Sequence, residues 1–94
     1  MENTEEKKKQ ENQEKEKPFH IVVNGQAKTW DKEKITFEEV IILAFGSISP
    51  NPNIVYTVTY KNAASEPPKG TMVKGDIIKV KNGTIFNATA TDKS

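Results

Sequence analysis

Apart from Met1, apolar side chains begin at Phe19, and from there their spacing marks out successive elements. FHIVV alternates: Phe19, Ile21 and Val23 share one face and His20 and Val22 the other, as in a half-buried strand. Asn24-Gly25 follows, a pair that tolerates the positive φ of a type I′ turn, which predicts a hairpin with a second strand over about 26–30. In KITFEEVIILAFGS the period becomes helical, with Phe37, Val40, Ile41 and Ala44 at i, i+3, i+4 and i+7 and Leu43 at the margin. Thr36 and Glu39 form a capping box, Ile35 and Val40 have the spacing of a hydrophobic staple, and Gly46 is placed as the stop. Ile42 and Phe45 fall off the centre of that face. They either pack under a neighbouring loop or form an exposed contact.

After the loop SPNPN, IVYTVTY predicts a strand over 54–60, with Tyr56, Val58 and Tyr60 on one face and Val55, Thr57 and Thr59 on the other. KNAASEPPKG is a loop by composition. TMV reads as a short strand, Lys74-Gly75-Asp76 as a turn, and DIIKVK as the last core strand with Ile78 and Val80 inward. A second pair, Asn82-Gly83, either closes a hairpin with a further strand over 84–89 or bends the chain into an exiting tail. The expectation is release after about Ala88. One helix cannot cover both faces of a sheet, so the order predicts an α+β fold: a mixed sheet with the helix across one face, the β-grasp order.

Composition changes the picture at the N-terminus. MENTEEKKKQENQEKEK has six Glu, five Lys and no apolar side chain after Met1, so residues 1–17 are expected to be a disordered tail. Pro18 marks the boundary, giving a domain over 18–88 and a flexible C-terminal tail over 89–94. With 94 residues there is space for one small domain and little for a composite active site. The chain has no cysteine and one histidine, His20, which removes disulfide frameworks, thiolate metal sites and His-rich metal sites. The start lacks the apolar stretch of a signal peptide, and no apolar run approaches the roughly 18 residues of a membrane span. A soluble, cytoplasmic protein is expected, without membrane association. All basic residues are Lys and the net charge is +1, so the side chain best suited to bidentate phosphate and guanine contacts is missing. Nucleic acid is not an expected partner.

FHIVVNGQ, the ITFEEVIILA helix, VYTVTY and VKGDIIKVKNGTIF, in that order, resemble the bacterial multiubiquitin-type ubiquitin-like proteins over about residues 19–90. The resemblance implies a β-grasp protein modifier with a buried Phe86. Its chemistry would be carried by an activating enzyme, a conjugating enzyme and a processing peptidase, with an unknown target protein. It implies no cofactor on this chain, ATP being used by the activating enzyme, and no metal or catalytic residue. The reactive group would be the carboxylate of the tail Thr91, Asp92, Lys93 and Ser94. A departure matters here: ubiquitin ends in Gly-Gly, whereas this chain ends in Asp-Lys-Ser. The partner's channel would therefore accept larger residues, or Ser94 is not the natural end.

The expected partner-binding surface is the open face of the sheet, formed by His20, Val22, Val55, Thr57, Ile77 and Lys79. Its alternative is a set of residues chosen only for strand propensity. His20 has no assignable Ser or Asp partner and reads as a surface strand residue. Trp30 reads as a plug at the core edge. Asn82-Gly83-Thr84 and Asn87-Ala88-Thr89 match the glycosylation acceptor pattern, which means little without a secretion signal. A non-covalent β-grasp docking module is the competing function. A sulfur carrier would need the absent Gly-Gly. An enzyme is not expected, since no nucleophile and base, phosphate loop or metal constellation is recognisable.

Overall fold

The computed structural model describes residues 18–93, so the tail expected over residues 1–17 lies outside the described residues. The alternation of FHIVV becomes β1 (Phe19–Val23), and Asn24 and Gly25, at φ 53° and 78°, turn it into β2 (Gln26–Trp30). Register follows from the two-residue turn: Val23 lies opposite Gln26 and Phe19 opposite Trp30. Trp30 packs at the core edge and its indole N–H donates to the Lys34 carbonyl at 2.8 Å.

The helix α1 (Phe37–Phe45) starts where the sequence places it. Thr36 Oγ1 accepts from the Glu39 N–H at 3.2 Å, and the Glu39 carboxylate accepts from the Thr36 N–H at 2.9 Å. Such a cap is worth about 1 kcal/mol. At the other end Gly46, at φ 89°, donates its N–H to the Ile42 carbonyl at 2.7 Å. Ile35 and Val40, the staple pair, are both fully buried.

Three residues before the helix are already paired. Lys34–Thr36 form a strand, β3, that the sequence reading did not anticipate. Its partner is β6 (Ile77–Lys79), and the two make a separate antiparallel sheet. This corrects the expectation that DIIKVK supplies the last core strand. Ile78 and Val80 do point inward and are buried, but β6 is held at the side of the fold. Its neighbours there include Glu33, whose carbonyl accepts from the Val80 N–H at 2.8 Å.

The main sheet runs β2-β1-β7-β4-β5, with β4 (Ile54–Lys61), β5 (Gly70–Met72) and β7 (Ile85–Asp92). β1 and β7 are parallel and the other pairs antiparallel, so the sheet is mixed. β5 begins one residue before TMV would place it, and Val73 lies beyond it, exposed. α1 crosses one face, where Val40 and Ile41 join Ile21, Val23, Val58, Met72 and Phe86 in the core. Phe86 is 0% exposed at the centre of the sheet. No helix among the described residues is long and apolar enough to cross a membrane.

The second correction concerns the chain end. β7 does not release after Ala88; it stays paired with β4 until Asp92 lies opposite Ile54. The reason is a match of lengths. β4 offers eight residues, and Asn87 to Thr91 continue a small β-compatible alternation that can occupy all of them.

Candidate functional site

No catalytic residue was predicted, so the candidate sites are the terminal strand and the sheet face opposite the helix. The strand is launched from the second Asn-Gly pair. Gly83 sits at φ 97°, its N–H donates to the His20 carbonyl at 2.8 Å, and the His20 N–H donates to Asn82 Oδ1 at 2.8 Å. Asn82-Gly83 thus clamps the start of β7 to β1 and closes no hairpin. Thr84, fully buried, completes the junction. Its Oγ1 accepts from the Lys81 N–H at 2.9 Å and lies 2.9 Å from the Asn62 carbonyl and 3.0 Å from the Lys81 carbonyl, to either of which it donates.

From there the peptide groups alternate sides. The Thr84 and Phe86 carbonyls accept from the Val22 and Asn24 N–H groups at 3.0 and 2.9 Å. The Ala88 N–H and carbonyl meet the side-chain amide of Asn24 at 2.8 and 3.1 Å. Ile85, Asn87, Thr89 and Thr91 therefore direct their peptide groups to β4, and Ala90 directs its own to the side β1 has left. Of the predicted tail, Thr91 and Asp92 belong to β7, and the Lys93 N–H donates to the Asn53 carbonyl at 2.9 Å. Ser94 lies outside the described residues.

The predicted surface residues do not all meet. His20, Val22, Val55 and Thr57 share the face opposite the helix, with Val55 41% exposed. Ile77 and Lys79 are exposed but lie in the β3-β6 sheet, so they are corrected out of this surface. Their places are taken by Asn87, inside the expected domain, and by Thr89 and Thr91 of the expected free tail. The result is rich in threonine: Thr57 faces Thr89, Val55 faces Thr91, and Thr59 faces both Asn87 and Thr71. The signal was present in the strict alternation of NATAT, with Ala88 and Ala90 on the other face.

On the helix side, Ile42 and Phe45 are 47% and 44% exposed, which favours the exposed-contact alternative. Phe45 stacks obliquely on Tyr56, with centroids 5.8 Å apart. Near the helix start, Phe37, Ile41, Ile48, Ile54 and Tyr56 line an open hollow of about 450 Å³ that also includes Glu38 and Lys74. The Tyr56 hydroxyl accepts from the Ser49 N–H at 2.9 Å and so pins the loop that forms one wall.

A five-stranded mixed sheet with one helix laid across it and a parallel pair of first and last strands defines a β-grasp, ubiquitin-like protein. The family model for multiubiquitin matches residues 19–92, and the chain belongs to that family. No curated protein and no solved structure gives a significant match.

Proposed function

We propose that this chain is a ubiquitin-like protein modifier of a bacterial, cytoplasmic pathway, conjugated through its C-terminal carboxylate by partner enzymes. An activating enzyme would adenylate the carboxylate with ATP, releasing pyrophosphate. An acceptor nucleophile, delivered with a conjugating enzyme, would displace AMP to leave an amide or an ester, and a peptidase would trim or reverse the product. The chain itself would supply no catalytic group, only a recognisable domain and an end that fits a narrow channel.

Membership of the multiubiquitin family supports this reading. The observation that carries it is the end of β7: Thr89, Ala90, Thr91 and Asp92 are all exposed and none of the first three is larger than threonine. The pairing of β7 through Asp92 favours a second reading, a non-covalent docking module using the face of His20, Val22, Val55, Thr57, Thr89 and Thr91. Intact mass spectrometry of the protein expressed with its genomic neighbours, followed by peptide mapping, separates the two. A modifier gives a higher-mass adduct whose new bond maps to the tail carboxylate and identifies the working terminus. An unprocessed chain that copurifies with a neighbour without an adduct replaces conjugation with docking.

A further inference from the structure

Resting on the modifier reading for its purpose, we propose that β7 is two units joined at Ala88, and that its outer half unzips from β4 to present the tail. The two halves share one ladder to β4 but differ in burial and in the number of neighbouring strands. Ile85–Ala88 lie between β1 and β4, with Phe86 and Ala88 buried in the core. Thr89–Asp92 have β4 on one side only, and all four residues are exposed. β5 pairs with β4 only at Val58, Thr59 and Tyr60, so the outer stretch of β4 has β7 as its one neighbouring strand and is anchored through Tyr56, which packs on the core and against Phe45. The outer part of the sheet is thus two-stranded, 54–57 with 89–92; Tyr56 holds the β4 side in place, and the exposed β7 side is kept by its ladder, which is marginal without further packing.

The Asn24 side chain defines the joint. Its amide accepts from the Ala88 N–H and donates to the Ala88 carbonyl, standing in for the next residue of β1. Beyond it, nothing of β1 continues. Opening from Thr89 onward breaks a solvent-facing ladder, the interaction of Asp92 and the bond from the Lys93 N–H to the Asn53 carbonyl, and it unpacks no buried side chain of β7. It adds four residues, about 13 Å, to the extended reach of the tail. Local openings of this kind occur without global unfolding wherever buried contacts are few.

Amide hydrogen exchange of the full chain by NMR tests the proposal. Ile85, Asn87, Thr89 and Thr91 all direct their N–H groups to β4, so they are matched probes. The expected result is exchange at Thr89 and Thr91 at least about 100-fold faster than at Ile85 and Asn87. Because the chain has no cysteine, the exposed pair Val55→Cys with Thr91→Cys gives one defined disulfide between facing residues. Oxidation should abolish the gap and reduction restore it. Asn24→Gly, which keeps the positive φ and removes the amide, should move Ala88 into the fast group. Equal rates at all four positions would overturn the two-unit strand, and an unchanged Ala88 would overturn the joint at Asn24. A rate gap in a protein that never forms an adduct would instead defeat the modifier reading and leave the two-unit strand standing.

Discussion

Two identical dipeptides, Asn24-Gly25 and Asn82-Gly83, meet very different fates. The first has positive φ at both residues and closes a two-residue hairpin between β1 and β2. The second has positive φ only at Gly83 and carries the chain from the small sheet into the middle of the large one. The flanking strands decide: β2 has an adjacent partner of equal length, whereas β6 is already paired with β3 when Asn82 is reached. In both, the asparagine amide imitates backbone. Asn82 extends the β1-β7 pairing at its start and Asn24 extends it past its end. A turn signal therefore fixes a bend, and the available edges fix what the bend joins.

The comparison can be broken first at the strand both turns hold. Phe86→Ala should cost about 3–5 kcal/mol, read as a fall in the denaturation midpoint, because the fully buried ring sits where helix and central strands meet. Thr84→Val keeps the shape of the second junction but leaves the Lys81 N–H without its acceptor, for a loss of about 1–3 kcal/mol by the same measurement. Gly→Ala at the two turns should sharpen the contrast. Gly83→Ala should cost about 2 kcal/mol, since strain at φ 97° adds to an approach of 3.1 Å to Asn62 Nδ2, the group that donates to the Gly83 carbonyl. Gly25→Ala meets no atom within 4 Å and should cost only the conformational strain, about 1 kcal/mol. Smallest is Thr91→Ala on the exposed ribbon, within about 0.5 kcal/mol of the parent.

The first half of the domain was legible in the sequence because its signals are local. The Asn24-Gly25 turn, the Thr36–Glu39 box and the Gly46 stop all act within a few residues of where they stand. The second half depends on long-range pairing. β3, three residues long, is too short for alternation to announce it, and β6, legible as a strand within DIIKVK, carries no local sign that its partner lies just before the helix. The end of β7 was not legible for a related reason: the Thr and Ala residues after Ala88 offer no core anchor, and what keeps them in place is the length of β4. Four of the six predicted surface residues share a face because strand alternation placed them. Ile77 and Lys79 left it because alternation cannot say which sheet a strand joins.

For function, the end of the chain is both finished as a strand and lightly held. A modifier needs its tail in an enzyme channel, and a docking module needs its sheet intact. Asn24 marks the boundary between the buried part of β7 and the exposed part, which on the proposed modifier reading would be lent to a partner.

The most direct test of this picture is a nuclear Overhauser measurement between the facing Hα protons of β4 and β7. Val58–Ala88 and Tyr56–Ala90 are the close pairs that alternate with the hydrogen-bonded ones. Strong contacts for both pairs are expected in the resting protein, where the closed ribbon dominates. A contact at Val58–Ala88 with none at Tyr56–Ala90, and random-coil shifts from Thr89 onward, would contradict it and return the tail to the free state that its composition suggests.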